Sequence, residues 1–316
     1  MNGELSRWEK VLGSAIRRVV PFQRHWRVIT DAGDWICKTV RHLRHVEWWL
    51  CTERELRQRG FKAMPTVRFD GHMWMFSSFL QGRTVSYRSP RDALSTARLL
   101  ASFHRAGQGL FTPSLSMPSY TLVERVDQRL TSFASLLKMS ARIPGETAAL
   151  VRDHGAYFYR QGQEARQRLA LLPFRELVHW HRGRRFLAHR DLASHNVIVD
   201  SHNRPWLIDF ETADYDCQVG DVWQFLTRML SEQEWDLQLG REAIRTYESI
   251  RPLSSVERHI LTELLAIPNE FYRESLGVIQ QKKGYHAKKS LPYLGRIVRA
   301  IPKWQAFLGE IRRTAW

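Results

Sequence analysis

The sequence predicts an α+β fold of two lobes, in which a small antiparallel sheet with one helix precedes a larger, mainly helical part. Strand-like runs of alternating polarity crowd the first 80 residues, and long helical periodicities fill most of the remainder. A second group of short strands interrupts the helices near residues 186–208. With 43% hydrophobic residues in 316, the chain can bury a substantial core. We place the lobe boundary after residue 80, which gives domains 1–80 and 81–316.

The N-terminal lobe is predicted to begin with a short amphipathic helix within residues 1–24, which ends before Pro21, and to continue with a hairpin. The segment Asp-Ala-Gly-Asp at 31–34 is a turn signal between two strand-like runs. Alternation along the second run places Ile36 and Lys38 on one face of the strand and Cys37 on the other.

A helix is predicted from residue 43 to residue 59, where Gly60 stops it. Its apolar stripe includes Glu53, and a carboxylate on such a stripe is unexpected unless a cation meets it. Two further strands, at 66–69 and 73–80, are joined by an Asp-Gly turn.

The second lobe is predicted to be helical apart from a few short strands. Helical patterns cover 91–106, 120–139 and 146–172, and further helices fill the chain to residue 316. Short strands are predicted at 186–188, 197–199 and 206–208.

The sequence His-Arg-Asp-Leu-Ala-Ser-His-Asn at 189–196, followed by a hairpin and Ile-Asp-Phe at 208–210, is the most informative motif. Its spacing is typical of kinase-like phosphotransferases, which hold Mg²⁺ and ATP with such residues. Asp191 can accept a proton from an acceptor hydroxyl or orient it. Asn196 and Asp209 offer the oxygen ligands that Mg²⁺ prefers. Lys38 is the candidate cation for the ATP phosphates, and Glu53 is its predicted partner.

Composition excludes several other classes of protein. No apolar run approaches the length of a membrane span, and the N-terminus lacks a signal-peptide pattern, so we expect an intracellular protein that does not enter a membrane. A net charge of +16 favours anionic ligands, but no nucleic-acid-binding motif accompanies it. The three cysteines fit no zinc motif, and we expect Cys37 and Cys51 to be reduced and packed. His179 and His181 are expected on the surface.

The motifs resemble those of aminoglycoside phosphotransferase-like kinases and, within them, the spore coat CotS family. The stretches that carry this resemblance are 187–191 with Asn196, 206–212, 215–216, 220–222, the helix end 99–104, and the tail 266–272 to 307–308. The resemblance implies a two-lobed protein-kinase-like fold with ATP in the cleft near Ser78, Phe79 and Leu80. It implies Asp191 as the catalytic base, Asn196 and Asp209 as Mg²⁺ ligands, and Lys38 with Glu53 as the phosphate clamp. It also implies residence in a mother cell or on a spore, with other coat proteins as partners.

The sequence differs from that of protein kinases in two ways that bear on the predicted function. The segment before Lys38 lacks a glycine-rich phosphate loop, and only twelve positions separate Asp209 from Asp221, too few for a protein kinase's activation segment. The second departure favours a small-molecule or glycan hydroxyl over a peptide as the acceptor. The alternatives are an inactive scaffold of the spore coat, favoured by the missing loop, the charge and the twelve tryptophans, and a nucleic-acid binder, favoured by charge alone.

Overall fold

The computed structural model describes residues 2–40, 42–115 and 119–314. The helices are α1 Asn2–Leu12, α2 Leu43–Gln58, α3 Pro90–Ala106, α4 Leu122–Met139, α5 Glu146–Ala170, α6 Phe174–Gly183, α7 Val219–Glu232, α8 Leu237–Glu248, α9 Ser255–Leu265, α10 Asn269–Ile279, α11 Ala287–Arg299 and α12 Ile301–Thr314. The strands are β1 Ile16–Phe22, β2 His25–Thr30, β3 Gly33–Thr39, β4 Val67–Phe69, β5 Trp74–Ser78, β6 Gly82–Thr84, β7 Leu187–Ala188, β8 Val197–Asp200, β9 Pro205–Leu207 and β10 Asp214–Tyr215.

The N-terminal part is an antiparallel sheet of five strands in the order β1-β2-β3-β5-β4. Helix α1 covers one face, where Trp8 packs edge-on against Trp74 and Phe76 with ring centroids 5.2 and 5.4 Å apart. Cys37 of β3 is buried in this layer. Ile36 and Lys38 line the opposite face. The alternation predicted for β3 is therefore confirmed.

The prediction of one helix within residues 1–24 is wrong in its second half. Helix α1 ends at Leu12, Gly13 follows at φ 62, and the chain then forms β1. The β-branched pair Val19 and Val20 favours a strand. Pro21 is tolerated there because β1 is the edge of the sheet.

The C-terminal part is mainly helical and holds two small sheets. One pairs β7 with β10, and the other has the order β6-β8-β9. Helices α4 and α9 each begin with a capping box, Thr121 with Glu124 and Ser254 with Glu257, which satisfies free backbone N–H groups at the helix start. Strands β6 and β10, of three and two residues, were not predicted.

Two expectations about single residues, Cys51 and His181, are wrong. Cys51 is exposed, whereas Cys37 and Cys217 are buried, and all three are free thiols. His181 of α6 is buried and does not lie on the surface, while His179 of the same helix is exposed. None of the helices in the described part of the chain is long and apolar enough to cross a membrane.

Candidate functional site

An open cleft of about 630 Å³ lies between the five-stranded sheet and the loops around β8 and β9. Its walls combine apolar side chains from the sheet and from β8 with polar side chains from the loops. The predicted nucleotide segment, Ser78, Phe79 and Leu80, lines this cleft, as do Lys38 and Asp209. The cleft therefore brings together residues that lie more than 170 positions apart in the chain.

The loop that carries Asp191 is held by a buried carboxylate. Asp221, in the first turn of α7, accepts hydrogen bonds from the backbone N–H groups of His189 at 2.6 Å and Arg190 at 2.8 Å. His104 Nε2 lies 3.0 Å from the same carboxylate. Burial alone would raise the pKa of Asp221, but the His104 contact and the loop N–H groups lower it below its usual value. The carboxylate of Asp221 therefore stays ionised and holds this loop in place.

The hairpin of β8 and β9 brings Asn196 and Asp209 to neighbouring positions. The Ile208 N–H donates to the Asn196 carbonyl at 2.9 Å, and Asp209 follows with a left-handed backbone, φ 65. The Asn196 amide donates to the backbone oxygen of Asp191 at 2.9 Å and to its carboxylate at 3.2 Å. The three predicted oxygen-bearing side chains therefore lie in one neighbourhood, and His189 packs beside them with Nε2 2.9 Å from the Ile208 carbonyl.

Lys38 does not pair with Glu53, so this prediction is wrong. The Lys38 ammonium donates to Asp209 at 3.3 Å and to Glu211 at 2.7 Å. Glu53 forms an ion pair with Arg57, one turn further along α2. Glu53 is buried on α2, as predicted, but it does not line the cleft. Trp49 of the same helix does line it, and its ring stacks on Phe210 with centroids 4.3 Å apart.

Sequence reasoning missed the turn between β1 and β2. Residues 22–25, Phe-Gln-Arg-His, line the cleft where a glycine-rich loop would cover ATP in a kinase. Burial, followed by the charges of Lys38 and Arg24, lowers the pKa of His25. Because a helix was expected to end just before Pro21 and the hairpin to begin at Trp26, the turn was not recognised, although the β-branched residues before it favour a strand.

Glu211 was also missed, although it lies only two residues after the predicted Asp209. It accepts from Lys38, and its side chain is half exposed to the cleft. Burial opposes ionisation, but the hydrogen bond and charge of Lys38 lower the pKa of Glu211 below its usual value. Lys38 is thus held between two carboxylates on one side of the cleft.

The carboxylate of Asp191 contacts Arg228 of α7. The Asp191 side chain is 42% exposed, and both terminal nitrogens of Arg228 lie 3.4 Å from its Oδ1. Asp214 and Asp216, which follow Glu211 in the chain, are both buried. Asp214 is 3.4 Å from Arg190, and Asp216 accepts from Arg125 at 2.9 Å.

The donor set around Asn196 and Asp209 fits a magnesium ion. Because the Asn196 nitrogen donates to Asp191, its oxygen remains available as a ligand, and Asp209 adds a carboxylate. Among the described residues, no group of three or more His, Cys, Asp and Glu side chains could hold a metal. Two protein oxygens suffice for Mg²⁺, because it keeps waters and shares the phosphate oxygens of a nucleotide.

A sequence model of the phosphotransferase enzyme family (APH) matches residues 22–253, well over half of the chain. The chain belongs to this family. The match spans strands β2 to β5 of the sheet, the cleft, Asp191, Asn196 and Asp209.

Solved structures of the same architecture agree with this membership. An aminoglycoside phosphotransferase from Alicyclobacillus acidocaldarius aligns with a TM-score of 0.80 at 16% identity, covering 96% of this chain and 95% of that one. A spectinomycin phosphotransferase in complex with ADP and spectinomycin aligns at 0.63 and 12% identity, covering 96% and 98%. A choline kinase from Streptococcus pneumoniae aligns at 0.53 and 16%, covering 97% and 99%. At these identities the likeness shows the shared two-lobed fold.

Proposed function

We propose that the protein is an ATP- and Mg²⁺-dependent phosphotransferase that acts on the hydroxyl group of a small molecule or glycan. The observation that carries this proposal is that Lys38, Asn196 and Asp209 line one cleft, while Asp191 accepts a hydrogen bond from the Asn196 amide beside them. The spectinomycin phosphotransferase of the same fold was solved with ADP, which supports a nucleotide in the corresponding cleft here.

The transfer would form a bond between the acceptor oxygen and the γ-phosphorus while the bond from that phosphorus to the β–γ bridging oxygen breaks. ADP leaves with the electron pair of the broken bond. Asp191 accepts the hydroxyl proton or orients the hydroxyl, and its partial exposure leaves it accessible to an acceptor. Such a reaction needs positioning and charge neutralisation more than covalent help.

Lys38 would move its hydrogen bonds from Asp209 and Glu211 to the nucleotide phosphates. Asn196 and Asp209 would hold Mg²⁺, which neutralises charge on the β- and γ-phosphates when it is bound. Arg24 and His25, in the turn that lines the cleft, would supply side-chain donors in place of the backbone N–H groups of a glycine-rich loop.

The names of the structural relatives support a small acceptor, since they include kinases of aminoglycosides, spectinomycin and choline. We further propose membership of the CotS group, with a spore coat association, other coat proteins as partners and a mother-cell location, on the motifs described above. We also propose the division into domains 1–80 and 81–316, which rests on the order of strands and helices in the sequence.

A thermal-shift titration with millimolar ATP tests the nucleotide proposal. We expect the melting temperature to rise with ATP plus Mg²⁺, to rise less with ATP plus EDTA, and to respond weakly in Lys38→Met. Lys62→Met removes the same charge at an exposed position outside the cleft and should behave as wild type. No shift in the wild type with nucleotide and metal would overturn the proposal.

The second candidate function is a non-catalytic scaffold of the spore coat. It is favoured by the absent glycine-rich loop and by the engagement of Lys38 with two carboxylates. In a spore-forming host, Asp191→Ala would then preserve the phenotype of the wild type. A phenotype equal to that of a deletion, with normal protein levels, would exclude the scaffold.

A further inference from the structure

The surface on the far side of Asp191 is built from arginines of the helical lobe. Arg228, on α7, lies 3.4 Å from Asp191 and 3.9 Å from Glu270 of α10. Arg273 donates to Glu270 at 2.6 Å and also lies 2.7 Å from Glu274. These contacts form a continuous chain of charges that leads from Asp191 into the groups carried by α10.

The carboxylates of this chain are already neutralised. Glu270 is almost fully buried, and it also accepts a hydrogen bond from the Tyr293 hydroxyl at 3.1 Å. Burial alone would raise the pKa of Glu270, but the charges of Arg273 and Arg228 lower it, so it remains ionised. Neither Glu270 nor Glu274 is therefore left as a free negative charge that could attract a cationic acceptor.

Arg129 of α4 adds a guanidinium that has no matching acid. No hydrogen bond or ion pair connects its side chain to another of the described residues, in contrast to Arg125 one turn earlier, which binds Asp216. Burial, and then the nearby charge of Arg273, lowers the pKa of Arg129. Apart from Asp191, this cluster contains three guanidinium groups (Arg129, Arg228 and Arg273) and two carboxylates (Glu270 and Glu274), so positive charge is in excess.

The basic character continues at the outer end of this cluster. The connector between α10 and α11 contains Lys282, Lys283 and Tyr285, and two more lysines follow at the start of α11. The Tyr285 hydroxyl accepts from Arg273 at 2.9 Å, which ties this lysine-bearing segment to the cluster. An entering acceptor would thus meet positive charge on its approach to Asp191.

We propose that the acceptor is an alcohol that carries an anionic group, a phosphate monoester or a carboxylate, and that Arg129 and Arg228 bind this group. The proposal rests on the proposed phosphotransferase function and names the acceptor class of the same site. A bound anion would draw Arg228 away from Asp191 and free the carboxylate for the acceptor hydroxyl. Guanidinium groups suit both anions because they donate paired hydrogen bonds to two oxygens.

Calorimetric titrations without nucleotide test the proposal directly. Two matched sets of alcohols serve as probes: glucose, glucose 6-phosphate, glucuronate and glucosamine; and glycerol, glycerol 3-phosphate, glycerate and choline. We expect an anionic member to bind more tightly than its neutral and cationic counterparts, and the comparison of phosphate with carboxylate identifies the group. Arg129→Gln should weaken that binding by about tenfold or more. Lys138→Gln removes one charge from an exposed position on the same helix and should leave the affinity unchanged.

The outcomes separate this proposal from the proposed function. Tighter binding of a neutral or cationic member, equal binding by Arg129→Gln and wild type, or no binding of any anionic member would overturn the anionic acceptor. A parallel titration with Mg²⁺ and ATP on the same preparations tests the kinase activity itself. Anion binding that depends on Arg129, without nucleotide binding, would retain the anion site and reject the phosphotransferase.

Discussion

Lys38 shows how far sequence reasoning reaches at the scale of single residues. Its position on the cleft face of β3 follows from strand alternation, which depends only on the backbone. Its partners could not be predicted, because Asp209 and Glu211 are 171 and 173 positions away and their approach depends on the packing of two lobes. The motif spacing, by contrast, predicted the grouping of Asp191, Asn196 and Asp209, since a short hairpin joins them.

Glu53 is expected to contribute to stability and not to nucleotide binding. Glu53→Gln removes the charge that Arg57 pairs with and should lower the free energy of unfolding by about 1–2 kcal/mol. The affinity for ATP with Mg²⁺ should stay within about twofold of the wild type. Urea unfolding and calorimetry measure the two quantities. A large loss of affinity with unchanged stability would restore the pairing with Lys38.

Asp221 is expected to be among the most sensitive positions for stability. Asp221→Asn removes a buried charge that accepts from the N–H groups of His189 and Arg190 and contacts His104. We expect a loss of about 2–4 kcal/mol in urea unfolding. Asp153→Asn, at an exposed position, is the control and should change little. Equal stability of Asp221→Asn and the control would show that the loop does not need this brace.

At the scale of elements, the long helices and most strands were predicted, whereas β1, β6 and β10 were missed. The bounds of helix α3 were predicted to within one residue, because a helical periodicity that extends over seventeen positions is a clear signal even where single residues depart from it. Strand β1 was missed because its alternation is weak at a sheet edge, where both faces are partly exposed. His181 was misplaced because its burial comes from packing of α6 against residues near the start of α7, which local sequence does not record.

The buried His181 predicts a pH dependence of stability. Burial lowers its pKa from 6.5 to about 4. Between these values the unfolded chain binds more protons than the folded one, so stability falls as the pH falls. His181 alone should remove about 2 kcal/mol between pH 7.5 and pH 5.

Unfolding of His181→Gln at several pH values measures this contribution. The variant should show a shallower loss of stability toward pH 5 than the wild type. His179→Gln, at an exposed position on the same helix, should keep the full slope. An identical slope in His181→Gln and wild type would contradict a buried, neutral histidine.

For the whole molecule, the two-lobed α+β fold was predicted from the order of its elements and confirmed by the family match and by the shared architecture of solved structures. The proposed acceptor-binding cluster could not be predicted from the sequence, because Arg129, Arg228 and Arg273 lie on three separate helices. Only the packing of α4, α7 and α10 brings their charges together. The net charge of +16 therefore includes this arginine cluster, whose position could not be predicted from composition.

The central claim is that Asn196 and Asp209 hold one magnesium ion against a nucleotide triphosphate in this cleft. Calorimetry of ATP binding, with Mg²⁺ and with EDTA, tests it in the wild type, Asn196→Ala, Asp209→Ala and the double variant. We expect each single variant to lose about 100-fold in Mg²⁺-dependent affinity, about 2.7 kcal/mol, and the double variant to lose little more. In EDTA, Asp209→Ala should bind ATP at least as well as wild type, because Lys38 loses a competing partner. Wild-type affinity in both single variants, or binding that ignores Mg²⁺, would contradict the claim.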